Sequence, residues 1–236
     1  MLTFLVVFIS IFSFNSFVFG SENEIKGDIT PDEGFLGNPI DFYSKDKELD
    51  ASELIEQNNN EIRPTYVPET FNKVIEVPMY MQKTNYWCGP ACVEMIIDKY
   101  RGSVYNQETY ASFMGTTTDG TDITQIARAL NNYQGVYHYD IRRVDNFQAM
   151  IDKAYYSIRN DAPFIANINT ASLYNSGQWA YSTQGHYIVV RSIYYDNNSE
   201  RFTGHVNDPW KVGKTLKTYQ VLYKAVSDHW NSSIVH

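Results

Sequence analysis

The sequence predicts an α+β domain in which helices come first along the chain and antiparallel strands follow. Apolar side chains recur at helical spacing in three segments between Cys88 and Arg159. From Pro163 onward they form short runs or alternate with polar residues, which is typical of strands. Because the two kinds of segment occupy different stretches of the chain, we expect a helical half to pack against a sheet.

Each predicted helix has a recognisable beginning or end. The helices are expected at residues 88–100, 122–133 and about 146–159. Pro90 falls in the first turn of the first helix, where its missing N–H costs nothing, and Gly102 follows the last turn. Asp122 and Gln125 have the spacing of a capping box at the second helix, and Asp145 is the expected cap of the third.

Three strands are predicted in the second half of the chain. They are expected at Pro163 to Asn169, His186 to Asp196 and Arg201 to Asp208. The last two are separated by a short polar stretch, so they should form an antiparallel hairpin. A further strand-like segment, VIEVPMYMQ, precedes the first helix and is interrupted by Pro78.

The first twenty residues differ from the rest of the chain. Residues 1–20 carry no charged side chain, and Val18 and Gly20 stand at positions −3 and −1 of a plausible cleavage site. This pattern predicts a secretory signal peptide and therefore a secreted or cell-surface protein. The alternative is an uncleaved membrane anchor, because the stretch is nearly long enough to span a bilayer.

Charge divides the remaining chain into two parts. Residues 21–70 hold 13 acidic and 4 basic side chains, a net charge of −9, and too few apolar residues for a core. We expect a largely disordered linker or a removable propeptide there. Residues 71–236 hold 14 acidic and 15 basic side chains and should form the folded domain. This domain has no dense basic patch, so nucleic acid is not an expected partner, and no stable membrane insertion is expected after signal cleavage.

The chain has two cysteines, Cys88 and Cys92, which lie four residues apart on the first predicted helix. At that spacing the two β-carbons are about 5–6 Å apart, whereas a disulfide needs roughly 3.5–4.5 Å. We therefore expect two free thiols. Cys92 should be a small buried residue on the inner face of the helix, which leaves Cys88 as the thiol available for chemistry.

Four residues form a candidate nucleophilic site. Cys88 opens a helix, where aligned backbone dipoles favour a thiolate. His186, at the start of an apolar strand, can hold that thiolate as an imidazolium and later give its proton to a leaving amine. Asp208 can orient the ring, and Gln82 can join the N–H of Cys88 in stabilising an oxyanion.

Other residues compete for two of these roles. His205 is the rival to His186 because it also lies near Asp208, although strand alternation puts it on the opposite face. Asn207 is the alternative orienting group. A metal site formed by His186, His205, Asp208 and Cys88 is the weakest alternative, since no short ligand pair such as H-E-x-x-H supports it.

Two tryptophans flank the candidate site. Trp87 precedes the nucleophile and Trp210 follows Asp208 by two residues. Both are hypothesised to wall the cleft and to shield the polar residues from water.

Several segments together resemble a known family. They are VPMYMQKTNYWCGPACVEMIIDKY, PFIANIN, GHYIVVRSI and VNDPW. These segments are similar to papain-like cysteine peptidases of family 39, which trim double-glycine leader peptides from bacteriocins, in a stand-alone secreted form. The resemblance covers roughly Val74 to Trp230, and its most specific part is CGPA with a glutamine six residues before the cysteine.

The resemblance implies a papain-like fold, with the nucleophile at a helix N-terminus in an N-terminal helical half that packs on a C-terminal antiparallel sheet. It also implies a Cys88/His186/Asp208 triad with Gln82 in the oxyanion hole. Because this chain lacks the transporter spans of the bacteriocin processors, leader peptides do not follow as its substrates.

The function expected from the sequence is a secreted thiol hydrolase, a peptidase that acts on a peptide or protein through a thioester at Cys88. No cofactor and no metal are expected. One alternative is a peptidyl or acyl transferase, or a cell-wall peptide amidase, that uses the same triad. Another is a catalytically inactive papain-like module that binds a partner.

Overall fold

The computed structural model describes residues 71–102, 105–196, 201–210 and 212–236. These residues form an antiparallel sheet with helices packed against it, so the predicted papain-like α+β fold is confirmed. The predicted signal peptide at residues 1–20 and the linker or propeptide at residues 21–70 lie outside the described residues. None of the helices within the described ranges is long and apolar enough to cross a membrane.

Helices and strands alternate more than the sequence suggested. Helices α1 to α6 cover Cys88–Arg101, Gln107–Met114, Ile123–Tyr133, Phe147–Arg159, Ala171–Asn175 and Tyr219–Ser227. Strands β1 to β8 cover Lys73–Val74, Ile141–Arg143, Phe164–Ile168, His186–Val190, Ser192–Asp196, Arg201–Asp208, Gly213–Thr218 and Ser233–Val235. The predicted helices correspond to α1, α3 and α4, and the predicted strands to β3, to β4 with β5, and to β6.

The segment before α1 forms much less strand than expected. Only Lys73–Val74 pairs as β1, because Pro78 carries no N–H for a ladder. The remainder is held to the sheet by single bonds. The N–H of Ile75 donates to the carbonyl of Arg191 at 2.8 Å, and the N–H of Gln82 donates to that of Pro209 at 2.8 Å.

The strands pair in the order β1-β5-β6-β4-β3-β8-β2. Strand β7 pairs with the edge of β6 that β4 and β5 leave open. Strands β4 and β5 are two parts of one long strand beside β6, which confirms the predicted hairpin pairing. Val190 lies opposite Val206, whereas Tyr194 lies opposite Thr203. The register therefore shifts by one residue between these pairs, and a β-bulge interrupts the strand at Arg191.

This register brings two candidate site residues to one face of the sheet. Val189 lies opposite Asn207, so Ile188 lies opposite Asp208. Side chains two residues apart on a strand share a face, which puts His186 on the same face as Asp208. The pairing of β4 with β6 thus sets the geometry of the site.

One helix cap differs from the predicted one, and a predicted capping box is incomplete. Asn146, and not Asp145, caps α4 by accepting a hydrogen bond from the backbone three residues on. Asp122 caps α3 as expected and accepts from the N–H of Thr124 at 2.7 Å. Gln125 donates to the Thr124 hydroxyl at 3.3 Å, so the expected capping box is only half formed.

Candidate active site

Helix α1 begins at Cys88, as predicted. The N-cap residue is Trp87, whose indole has no acceptor for the N–H groups of the first turn. Pro90 has no N–H to satisfy. The N–H groups of Cys88 and Gly89 are therefore the donors that a negative charge at this helix end would meet.

Close packing behind Cys88 requires the glycine at position 89. A β-carbon on Gly89 would lie 2.8 Å from Thr121 Oγ1 and 2.9 Å from Thr121 Cβ. Thr121 cannot turn away freely, because its hydroxyl lies 2.8 Å from that of Thr116. The start of α1 therefore rests directly on Thr121, two residues before α3 begins.

We expect Gly89→Ala to destabilise the domain by about 1–3 kcal/mol, because the new methyl group overpacks this contact. At an ordinary helix position the same change would stabilise by up to about 1 kcal/mol. Urea unfolding measures the difference. Gly89→Ala in a Thr121→Gly background is the control, and it should recover most of the loss. A Gly89→Ala variant at least as stable as the wild type would contradict the contact.

His186 and Asp208 form a buried pair at neighbouring strand ends. The His186 Nε2 atom lies 2.9 Å from Asp208 Oδ1, and the two side chains are 2% and 0% exposed. The His186 ring also forms a hydrogen bond with Cys88. Because Nε2 is engaged by Asp208, Nδ1 is the ring nitrogen left for this bond. The structure thus brings Cys88, His186 and Asp208 together.

The surroundings of His186 favour its protonated form. Burial, the largest single influence, lowers the pKa because a charged ring loses its hydration. The charge and hydrogen bond of Asp208, with those of Cys88, outweigh burial and raise the pKa of His186 to about 10. The raised pKa favours the imidazolium at neutral pH, which is the form that can hold a thiolate and donate a proton.

Cys92 is the buried residue that the helical spacing predicted. It is free, as is Cys88, and its thiol donates to the carbonyl of Tyr187 at 3.2 Å. Burial, followed by the charges of Cys88 and Asp208, raises the pKa of Cys92 well above its ordinary value. Cys92 is therefore a poor nucleophile, although it lies one turn from Cys88.

Gln82 lies beside the end of β6. Its backbone is tied to Pro209, the residue after Asp208. Its Nε2 donates to the carbonyl of Thr84 at 2.7 Å, and its buried Oε1 has no partner among the described residues. A carboxamide nitrogen carries two N–H donors, so one can hold the side chain while the second meets an oxyanion.

The rivals to His186 and Asp208 are engaged elsewhere. His205 Nδ1 lies 2.9 Å from Ser192 Oγ, on the sheet face that strand alternation gives it. Asn207 accepts from Arg191 Nε at 2.9 Å and donates to the carbonyl of Pro78 at 3.1 Å. It thus secures the segment before α1, whereas Asp208 holds the His186 ring.

The weak metal alternative required His205 to turn toward the other site residues, and it turns to Ser192 instead. Across the described ranges, no group of three or more His, Cys, Asp or Glu side chains is arranged to hold a metal ion.

The two tryptophans that flank the site, Trp87 and Trp210, are both half-buried. The backbone N–H of Trp210 donates to Asp208 Oδ1 at 2.9 Å.

The family comparison decides the class of protein. Residues 74–233 match the model of the Peptidase_C39 like family. The chain belongs to this family. The matched residues include Gln82, Cys88, His186 and Asp208, and membership supports a cysteine peptidase, as the sequence resemblance implied. No curated protein matches the chain.

Three solved structures are similar to this chain at low sequence identity. One is a double glycine motif protease from an AMS/PCAT transporter in complex with the leader peptide, with 17% identity, coverage of 70% of this chain and 96% of that one, and a TM-score of 0.46. Another is the peptidase domain of Streptococcus ComA, a bi-functional ABC transporter involved in quorum sensing, with 20% identity, 67% and 95% coverage and a TM-score of 0.44. UfSP from C. elegans has 11% identity, 74% and 35% coverage and a TM-score of 0.43.

One residue at the site of this Peptidase_C39 like protein was missed by the sequence reasoning. Tyr181 donates its hydroxyl proton to Asp208 Oδ2 at 2.6 Å. It lies between α5 and β4 in a stretch without helical or strand periodicity, and it is one of 19 tyrosines. No sequence signal distinguishes it from the others.

Proposed function

We propose that this protein is an exported cysteine peptidase that cleaves peptide bonds through a thioester on Cys88. The observation that carries the proposal is the buried His186–Asp208 pair, 2.9 Å apart, next to a cysteine at a helix N-terminus. In this arrangement a nucleophile, an acid–base group and an orienting carboxylate lie in the order that thiol catalysis requires. Family membership supports the same class.

In the first half of the proposed reaction, the Cys88 thiolate attacks the carbonyl carbon of the scissile bond. A C–S bond forms and the carbonyl oxygen becomes an oxyanion. When this intermediate collapses, the C–N bond breaks, and the imidazolium of His186 gives its proton to the leaving amine. The products are a free amine, a thioester on Cys88 and a neutral His186.

In the second half, neutral His186 takes a proton from water as the water oxygen attacks the thioester carbonyl. The C–S bond then breaks, which releases a carboxylic acid and restores the thiolate–imidazolium pair. Asp208 holds the ring throughout, so that Nδ1 remains directed at Cys88.

The oxyanion is assigned to the N–H of Cys88 and the second N–H of Gln82. The backbone bond from Gln82 to Pro209 supports this role, because it ties the donor to the strand end that carries Asp208. A single oxyanion donor is typically worth about 2.7–4 kcal/mol of transition-state stabilisation.

Export is part of the proposal and rests on residues 1–20, whose uncharged apolar composition is that of a secretory signal. Residues 21–70 are proposed to be a linker or a propeptide between that signal and the peptidase domain. Mass spectrometry of the protein recovered from a secreting host measures its first residue. A mature chain that still begins with residues 1–20 would contradict export with cleavage.

A peptide library analysed by mass spectrometry tests the reaction itself. The wild-type protein should convert peptides into pairs of fragments whose masses sum to the peptide plus one water. Cys88→Ser should lower the rate by a factor of at least about 10³, since a serine hydroxyl is not ionised by this site. Cys92→Ser is the matched control and should retain activity. Undiminished cleavage by Cys88→Ser would refute the proposal.

A further inference from the structure

Tyr181 contacts both members of the acid–base pair. Its hydroxyl donates to Asp208 Oδ2 at 2.6 Å. Its ring meets the His186 ring edge-on, with the centroids 5.7 Å apart and the planes at 88°. One side chain therefore fixes the carboxylate by a hydrogen bond and the imidazole by packing.

Tyr181 is itself held on several sides. Its backbone carbonyl accepts a hydrogen bond from the Thr170 hydroxyl at 2.7 Å. Its ring packs edge-on against Trp179, and the ammonium group of Lys217 lies 4.5 Å from the centre of that indole. Because Tyr181 is also buried, its hydroxyl cannot swing away from Asp208 without disturbing this cluster.

The hydroxyl of Tyr181 keeps its proton in this environment. Burial, and then the charge of Asp208, raises the pKa of Tyr181 well above its ordinary value. Tyr181 is therefore always a donor to Asp208 at neutral pH.

Asp208 accepts hydrogen bonds from three of the described residues. Oδ1 accepts from His186 Nε2 and from the N–H of Trp210, each at 2.9 Å, while Oδ2 accepts from Tyr181. A carboxylate that accepts hydrogen bonds at both oxygens cannot rotate freely.

We propose that Tyr181 is a positioning residue that acts through Asp208 to keep His186 aligned with Cys88. This inference rests on the proposed function and extends the triad by one member. Without the Tyr181 hydroxyl, Asp208 Oδ2 would lose the donor that it has among the described residues, and a buried oxygen that has lost its donor favours rotation of the carboxylate. Such a rotation weakens the support that the imidazolium receives.

Tyr181→Phe tests the proposal, with Tyr219→Phe as the matched control. Tyr219 is also buried and donates its hydroxyl to the backbone carbonyl of Ser192 at 2.8 Å, away from the site. For Tyr181→Phe we expect kcat to fall roughly 10-fold with little change in KM, as for a small loss of alignment. The alkaline limb of the pH–rate profile should move to lower pH, because the imidazolium loses its proton more readily. Tyr219→Phe should leave both kcat and the pH profile unchanged.

Alkylation of Cys88 by iodoacetamide between pH 5 and 10 gives the same comparison without a substrate. Tyr181→Phe should alkylate more slowly than the wild type on the acid side of the profile, where the thiolate depends on the imidazolium. The proposal is overturned if Tyr181→Phe matches the wild type in kcat and in both pH profiles, if its alkaline limb moves upward, or if Tyr219→Phe shows the same changes. If Cys88→Ser cleaves peptides at the wild-type rate, the proposed function fails, whatever Tyr181→Phe does.

Discussion

Iodoacetamide should alkylate Cys88 at least about 10-fold faster than Cys92 at pH 7, because only Cys88 has an imidazolium beside it. The two thiols form a matched pair within one helix, since both are 0% exposed and they lie one turn apart. Static exposure therefore favours neither thiol. Peptide mapping by mass spectrometry after brief labelling measures both rates in one sample.

His186→Ala should abolish that difference. Without the imidazolium the thiolate at Cys88 loses its counter-charge, so its labelling rate should fall toward that of Cys92 and peptide cleavage should stop. Cys92 serves as the internal reference, because its thiol is bonded to the carbonyl of Tyr187 and not to the histidine. Equal labelling of the two cysteines in the wild-type protein would remove Cys88 as the nucleophile.

Asp208→Asn should lower kcat by about 10²- to 10⁴-fold while the fold persists. The three groups that contact Asp208 all donate hydrogen bonds to its carboxylate. An asparagine amide has one acceptor and one donor end, so it would place an N–H against at least one of these donors. The ring of His186 then turns or takes the wrong tautomer. Asp228→Asn is the control, because Asp228 binds Lys224 and Ser172 instead. Its activity should stay at the wild-type level, and an equally active Asp208→Asn would contradict the orienting role.

The same variant should change the pH dependence. Asp208 is the largest of the influences that raise the pKa of His186 from 6.5 to about 10, whereas burial lowers it. In Asp208→Asn the alkaline limb of the pH–activity profile should therefore move to lower pH.

The free energy of unfolding should also depend on pH through His186. A raised pKa in the folded state stabilises the wild type fully below about pH 6.5, and this contribution is lost as the pH rises to about 10. Urea unfolding across this range should show a difference between wild type and variant that is greatest below pH 6.5.

The long elements of this domain could be predicted because each carries its own pattern. Helix α1 repeats apolar residues over four turns, and β4 with β5 forms an apolar run with a polar loop after it. The elements that escaped prediction depend on partners distant in sequence. Strand β7 has the polar sequence GKTLKT and pairs only because β6 offers an edge, and β8 has three residues inserted between β3 and β2.

The site could be predicted in part for a similar reason. Cys88 and Gln82 are close in sequence, and their spacing carries a signal. The choice of Asp208 over Asn207 rested on the proline that follows Asp208 in VNDPW, whereas in the structure strand alternation separates the two side chains onto opposite faces of the sheet. Tyr181 could not be found, because it reaches Asp208 from a loop whose path is set by bonds such as that from Thr170. The cap of α4 was missed by one position because Asp145 and Asn146 are both good capping residues.

The segment from Ile75 to Gln82 has a consequence for how the enzyme loses activity. It follows the two-residue strand β1 and is held by two backbone hydrogen bonds, by the side chains of Arg191 and Asn207 and by the burial of Ile75 and Val77, but by no continuous ladder, so local unfolding should release it before the central strands separate. Its amide protons should then exchange with solvent faster than those of β3 and β4. Because the segment carries Gln82, catalysis should fail at denaturant concentrations below the main unfolding transition, while the Cys88–His186–Asp208 cluster is still intact.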